Sequence, residues 1–216
     1  MPALDPAALS TQIKRGKLGP LYLLVGEDTR RIDGLVDGIE ATIDPADRPF
    51  AVERIYAAEA GGAPLDIAAA ARVFPMLGDR RIVIVLRAER ILKPKRASRA
   101  ESAGDDEADA SGGDSGPSDF GPLEDYVAAP VESTTLVFVA SEIDKSRRFT
   151  KKLVQAAQVV SFEGLGGGGP GARREMQQQV RELVEQDLAA VGRTIEPAAA
   201  QLLVERAGGD INRLRG

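Results

Sequence analysis

Two stretches, RRIVIVL at residues 80–86 and TTLVFVA at residues 134–140, leave this chain little freedom in its fold. Each is a short run of β-branched and other apolar residues, without the polar alternation of a strand that faces water on one side. A strand apolar on both faces belongs inside a sheet covered above and below, as in parallel sheets whose crossover helices pack on both sides. The intervening segments supply those helices. Ile32, Leu35, Val36, Ile39 and Ile43 fall on one helical face, and PLDIAAAARVF (64–74), LEDYVAAP (123–130) and RRFTKKLVQAA (147–157) are further helix segments. LYLLVG (21–26), VERIYA (52–57) and QVVSFEG (158–164) complete a set of five strands. The pattern predicts one doubly wound α/β domain over residues 1–163.

The rest of the chain reads differently. Residues 97–122 carry seven carboxylates against Arg99 alone and almost no large apolar side chain. Such a segment cannot bury enough surface to offset its ordering entropy, so a disordered acidic insertion is expected, with a regulatory acidic segment as its functional alternative. It contributes −6 to a formal net charge of −5, which leaves the remainder near neutral. That body is compatible with modest phosphate contacts but not with strong general DNA binding. GLGGGGPG opens an expected linker at residues 164–172. Beyond it, Met176, Val180, Leu183, Val184, Leu188 and Val191 form one apolar helical stripe, EPAAAQLLVERAGG gives a second helix, and Asp210 caps a third. Residues 173–216 therefore read as a small helical domain that looks cut short.

The chain has no cysteine and no histidine, which removes the usual soft metal ligands, thiol nucleophiles and imidazole bases. No apolar run approaches the roughly 20 residues that span a bilayer, so a cytoplasmic protein without a membrane partner is expected.

LYLLVGEDTRRID begins like a nucleotide site: a strand, a glycine, then a helix. A phosphate loop needs further glycine, a lysine and a Ser/Thr hydroxyl. Gly26 is instead followed by Glu27, Asp28, Thr29, Arg30 and Arg31, and two carboxylates would repel phosphates at the helix start. The reading is a strand-to-helix turn with Asp28 as N-cap. The carboxylate that would organise Mg²⁺ at a strand end is also missing: RIVIVL runs into Arg87 and Ala88 before Glu89, and TLVFVA into Ser141 before Glu142 and Asp144. Gly164 to Gly169 satisfies G-x-G-x-x-G, but only helices follow it, with Glu185 and Asp187 inside one of them, where a dinucleotide site needs a second strand ending in an acid. No cofactor or catalytic residue is assigned. The rival readings are a nucleotide-dependent transferase or ATPase with a divergent loop at Gly26 or Gly164, and a DNA-binding module using Lys14, Arg15, Lys17, Arg147, Arg148, Lys151 and Lys152.

Four stretches in order, GPLYLLVGEDTRRID, ARVFPMLGDRRIVIVLRAE, TTLVFVASEIDKSRR and ERAGGDINRL, resemble the delta subunit of the bacterial DNA polymerase III clamp loader. The resemblance implies an AAA+-like α/β domain without a functional P-loop, then a helical lid, with the collar that joins subunits into a ring falling beyond this sequence. It implies a role in DNA replication: holding and opening the sliding clamp (the beta subunit) at primed DNA, while sister subunits (delta prime, gamma/tau) handle ATP. The family works within a nucleotidyltransferase holoenzyme, but no intrinsic catalysis is implied for this chain.

In that family two adjacent apolar side chains at the end of the helix before the third strand enter a pocket on the clamp. The matching pair here is Val73 and Phe74, where many relatives have leucine before the phenylalanine, and the expected clamp-binding segment is Val73, Phe74, Pro75, Met76 and Leu77. Pro75 blocks helix continuation and turns Phe74 out of the helical region, which would project the pair. The bland alternative is that Phe74, Met76 and Leu77 pack beneath the following strand.

Overall fold

In the computed structural model of the chain, which describes residues 4–93, 120–162 and scattered positions between 184 and 202, helices and strands alternate from the first turn. They run α1 (Pro6–Lys14), β1 (Leu21–Gly26), α2 (Thr29–Glu40), α3 (Arg48–Ala51), β2 (Val52–Tyr56), α4 (Pro64–Arg72), β3 (Arg81–Leu86), α5 (Glu89–Leu92), α6 (Gly121–Ala128), β4 (Thr134–Ala140), α7 (Arg148–Ala156) and β5 (Gln158–Phe162). The five strands form one sheet in the order β2-β3-β4-β1-β5, with every neighbouring pair parallel.

The double-faced apolar runs occupy the interior positions, β3, β4 and β1. Alternate side chains feed two separate cores. Leu21, Leu23, Val83, Val85, Leu136 and Phe138 pack under α4, α6 and α7. Tyr22, Leu24, Ile82, Ile84, Val137 and Val160 pack on the other face against α1 and α2. The stripe expected on α2 is seated as anticipated: Ile32, Val36 and Ile39 are buried, with Leu35 and Ile43 packed at the margin.

Three elements were not anticipated. Helix α1 buries Leu9 fully, is capped by Asp5 with Pro6 in its first turn, and leads from Leu4, whose N–H donates to Val159 O at the outer edge of β5. Its Gln12 side chain donates to Gln158 and accepts from the Tyr22 hydroxyl at 2.6 Å, which in turn accepts from Gly19 N–H at 2.7 Å. Single-turn helices α3 and α5 lie at the start of β2 and after β3.

The far end of the expected acidic insertion is corrected. Residues 120–122 are ordered parts of the α6 start: the Phe120 ring lies 4.9 Å from that of Phe149, and Pro122 takes the early helical position where a missing N–H costs nothing. The expected insertion up to residue 119, the expected linker at 164–172 and most of the expected helical domain at 173–216 lie outside the described residues. Beyond residue 173, Val184, Leu188, Ala189, Leu202 and residues 198–200 are helical.

Candidate functional site

The loop after β1 has the architecture of a turn. Asp28 caps α2 by accepting from Arg31 N–H at 3.1 Å. Gly26 sits at φ +151, and a Cβ there would lie 2.1 Å from the Phe162 carbonyl oxygen. The glycine is needed because β5 passes against it, and this packing reason accounts for it without a phosphate. The two carboxylates weighed as strand-end candidates are engaged elsewhere. Glu89 accepts from Ser141 N–H at 3.3 Å, and Glu142 is ion-paired with Lys93. Several of the cations weighed as a DNA-binding face are likewise committed locally: Arg147 donates to Ile91 O at 2.8 Å, while Arg148 and Lys152 both pair with Glu124. Lys14, Arg15 and Lys17 are exposed at the end of α1.

The apolar segment at the end of α4 is built quite differently. Ile67, Ala68 and Ala71 anchor the helix in the core, and Asp66 accepts from Ala63 N–H at its start. At its last residue, Arg72 donates to Pro122 O at 2.9 Å and lies 5.8 Å from the Tyr126 ring centroid. The helix end is thereby tied to α6. Val73 then leaves the helix with ψ 126, its N–H reaching only to Ala70 O, and Pro75 forbids re-entry. Gly78, at φ +69 in open space, turns the chain back toward β3.

Between these two devices the side chains point outward. Val73 is 45% exposed, Phe74 73%, Met76 78% and Leu77 44%, with Pro75 half-buried. The alternative of packing under β3 is overturned: Phe74 and Met76 are the two most exposed large apolar residues described. Sequence reasoning singled out this segment but did not mention Arg72, whose partners Pro122 and Tyr126 are about fifty residues away and leave no local signal.

No protein-family model matches the chain. In sequence it is 28% identical over 157 residues to DNA polymerase III subunit delta of Bacillus subtilis, a match that covers 71% of this chain and 40% of that protein. The solved Bacillus subtilis DNA clamp loader delta protein superposes with a TM-score of 0.64 at 23% identity, covering 97% of this chain and 54% of that one. The chain is similar to DNA polymerase III delta subunits in sequence and in fold. The resemblance carried by the four motifs therefore holds, and the α/β fold with its parallel five-stranded sheet superposes on the delta structure. A looser superposition, TM-score 0.43 at 15% identity over 94% of this chain and 59% of the other, is with a gamma-subunit-related protein of Thermotoga maritima and carries no weight here. The chain spans about half or less of the length of these delta relatives. Among the described residues, no helix is long and apolar enough to cross a membrane.

Proposed function

We propose that this chain is a delta-type clamp-loader subunit that grips a sliding clamp through the Val73–Leu77 tip, with Phe74 as the main anchor, and opens it at primed DNA without hydrolysing ATP. The observation that carries the reading is the exposure of Phe74 just beyond a helix end that Arg72 ties to α6. A phenylalanine that is 73% in water contributes little to its own fold, so its placement suits a partner's pocket. Pro75, Gly78 and the Arg72 tie hold the tip in place before binding, which lowers the ordering cost of association.

The sister subunits, delta prime and gamma/tau, would assemble with it through the collar that the family carries, and they would supply the ATP chemistry. The delta likeness of the curated and solved relatives, described above, supports this choice of partner. The turn at Gly26, closed by Phe162 and capped by Asp28, supports a subunit that leaves nucleotide to its neighbours. Equilibrium binding of the chain to its cognate sliding clamp tests the reading. Micromolar or tighter binding is expected, and stoichiometric binding of Mg·ATP with no clamp binding would replace the proposal with an enzyme.

A further inference from the structure

The exposed apolar surface does not stop at the tip. Leu65, at the opposite end of α4, is 57% exposed and follows only Met76 and Phe74 among the described large apolar residues. At 3.6 residues per turn, positions four apart advance by about 40°, so Leu65, Ala69 and Val73 follow one another along a single line of the helix about 12 Å long. All three are exposed. The line lies on the side away from Ile67, Ala68 and Ala71, which are fully buried, and it is there that a surface helix ordinarily carries its polar residues. Helix α4 has two charged side chains, and both serve the fold: Asp66 accepts from Ala63 N–H and Arg72 donates to Pro122 O. Phe74, Met76 and Leu77 extend the same apolar surface past the helix end.

We propose that the line Leu65–Ala69–Val73 is a second contact with the partner that the tip grips: α4 lies lengthwise on an apolar strip of the sliding clamp while Phe74 enters its pocket. The inference rests on the clamp-loader reading for the identity of the partner. Continuity selects that occupant. Val73 belongs to both the line and the tip, so a body seated on Val73 and Phe74 already stands at the end of the line. The chemistry of the strip follows from the helix. Ala69, with half-buried Ala70 beside it, puts no long side chain between Leu65 and Val73, which lets a facing surface approach the backbone closely. That surface has to be apolar, because both charges of α4 are already engaged within the fold. A lone exposed leucine needs no explanation; one aligned with an exposed apolar tip along an uncharged helix line does. The arrangement also has a use. A single knob in a pocket is a pivot about which a partner can turn, whereas two contacts at the ends of a helix line fix its angle, so that a movement of this chain turns the bound surface with it.

The test titrates the cognate sliding clamp with the full 216-residue chain and its variants, each also melted on its own and sedimented at the titration concentration. Leu65→Gln and Ala69→Gln both replace an exposed residue by a good helix former, so their melting temperatures should match the wild type. Each is expected to lose about tenfold in clamp affinity, because a polar side chain is forced against an apolar strip. Ala156→Gln, the same change at an exposed position of α7, should bind as the wild type does. Wild-type affinity in both α4 variants, with binding still lost in Phe74→Ala, overturns the second contact and leaves the tip. A wild-type chain that does not bind the clamp overturns both. Equal losses in Ala156→Gln, or lower melting temperatures in both α4 variants, overturn the proposal by showing that the effect does not come from the line. So does a wild-type dimer that Ala69→Gln dissociates, since the line then belongs to a second copy of the chain.

Discussion

Gly26 and Phe162 meet so closely at the carboxyl end of the sheet that a Cβ on the glycine would lie 2.1 Å from the phenylalanine's carbonyl oxygen. Strands β1 and β5 are paired in register at this point, so neither backbone can withdraw without breaking the sheet edge. Gly26→Ala should therefore cost roughly 2 to 3 kcal/mol of stability through the clash and the unfavourable φ together. Urea unfolding measures it. A variant as stable as the wild type would show that the turn can relax, and would reopen the question of what the glycine is for.

Tyr22 is buried with its hydroxyl held between Gly19 N–H and the Gln12 side chain. Tyr22→Phe leaves that donor and acceptor without their partner and should cost about 1 to 3 kcal/mol at neutral pH. Burial pushes the Tyr22 phenol above its ordinary value. The folded state therefore prefers the neutral form, and this stability is present below about pH 10 and lost as pH rises through the raised value. The alkaline loss of stability should shrink in Tyr22→Phe without vanishing, because burial also pushes Tyr126 up. Denaturation followed at pH 8 and above would contradict the account if the two proteins lost stability in parallel.

Arg72 secures the end of α4 to α6 through Pro122 O and the Tyr126 ring. Arg72→Ala should cost about 1 kcal/mol of stability. It should also weaken clamp binding a few-fold, because the tip would have to be ordered on binding. Calorimetric unfolding and clamp titration of the same variant separate the two effects. Unchanged clamp affinity would mean that Pro75 and Gly78 hold the tip without help.

The sheet was legible because its inner strands carry apolar residues on both faces, so Ile82 to Val85 and Leu136 to Val139 have no other place to go. Helix α1 was less visible: Leu9 is its one fully buried side chain, and what fixes it to the fold is a polar network through Gln12, Tyr22 and Gln158 that no periodicity reports. The tip was legible only as a pair of alternatives. Phe74, Met76 and Leu77 carry the same apolar chemistry whether they fill a core or face a partner, and Pro75 breaks the helix in either case. What separates the two outcomes is long-range geometry: the Arg72 tie across to α6 and the Gly78 turn into β3.

The central claim is tested most directly by titrating the cognate sliding clamp with Phe74→Ala, alongside a thermal melt of the variant. An exposed ring leaves little behind when truncated, so the melting temperature should stay close to that of the wild type. The complex should lose an aromatic anchor of about 2 kcal/mol or more, roughly thirtyfold in affinity, with Val73→Ala acting in the same direction more weakly. A Phe74→Ala protein that melts normally and binds the clamp as tightly as the wild type would contradict the claim.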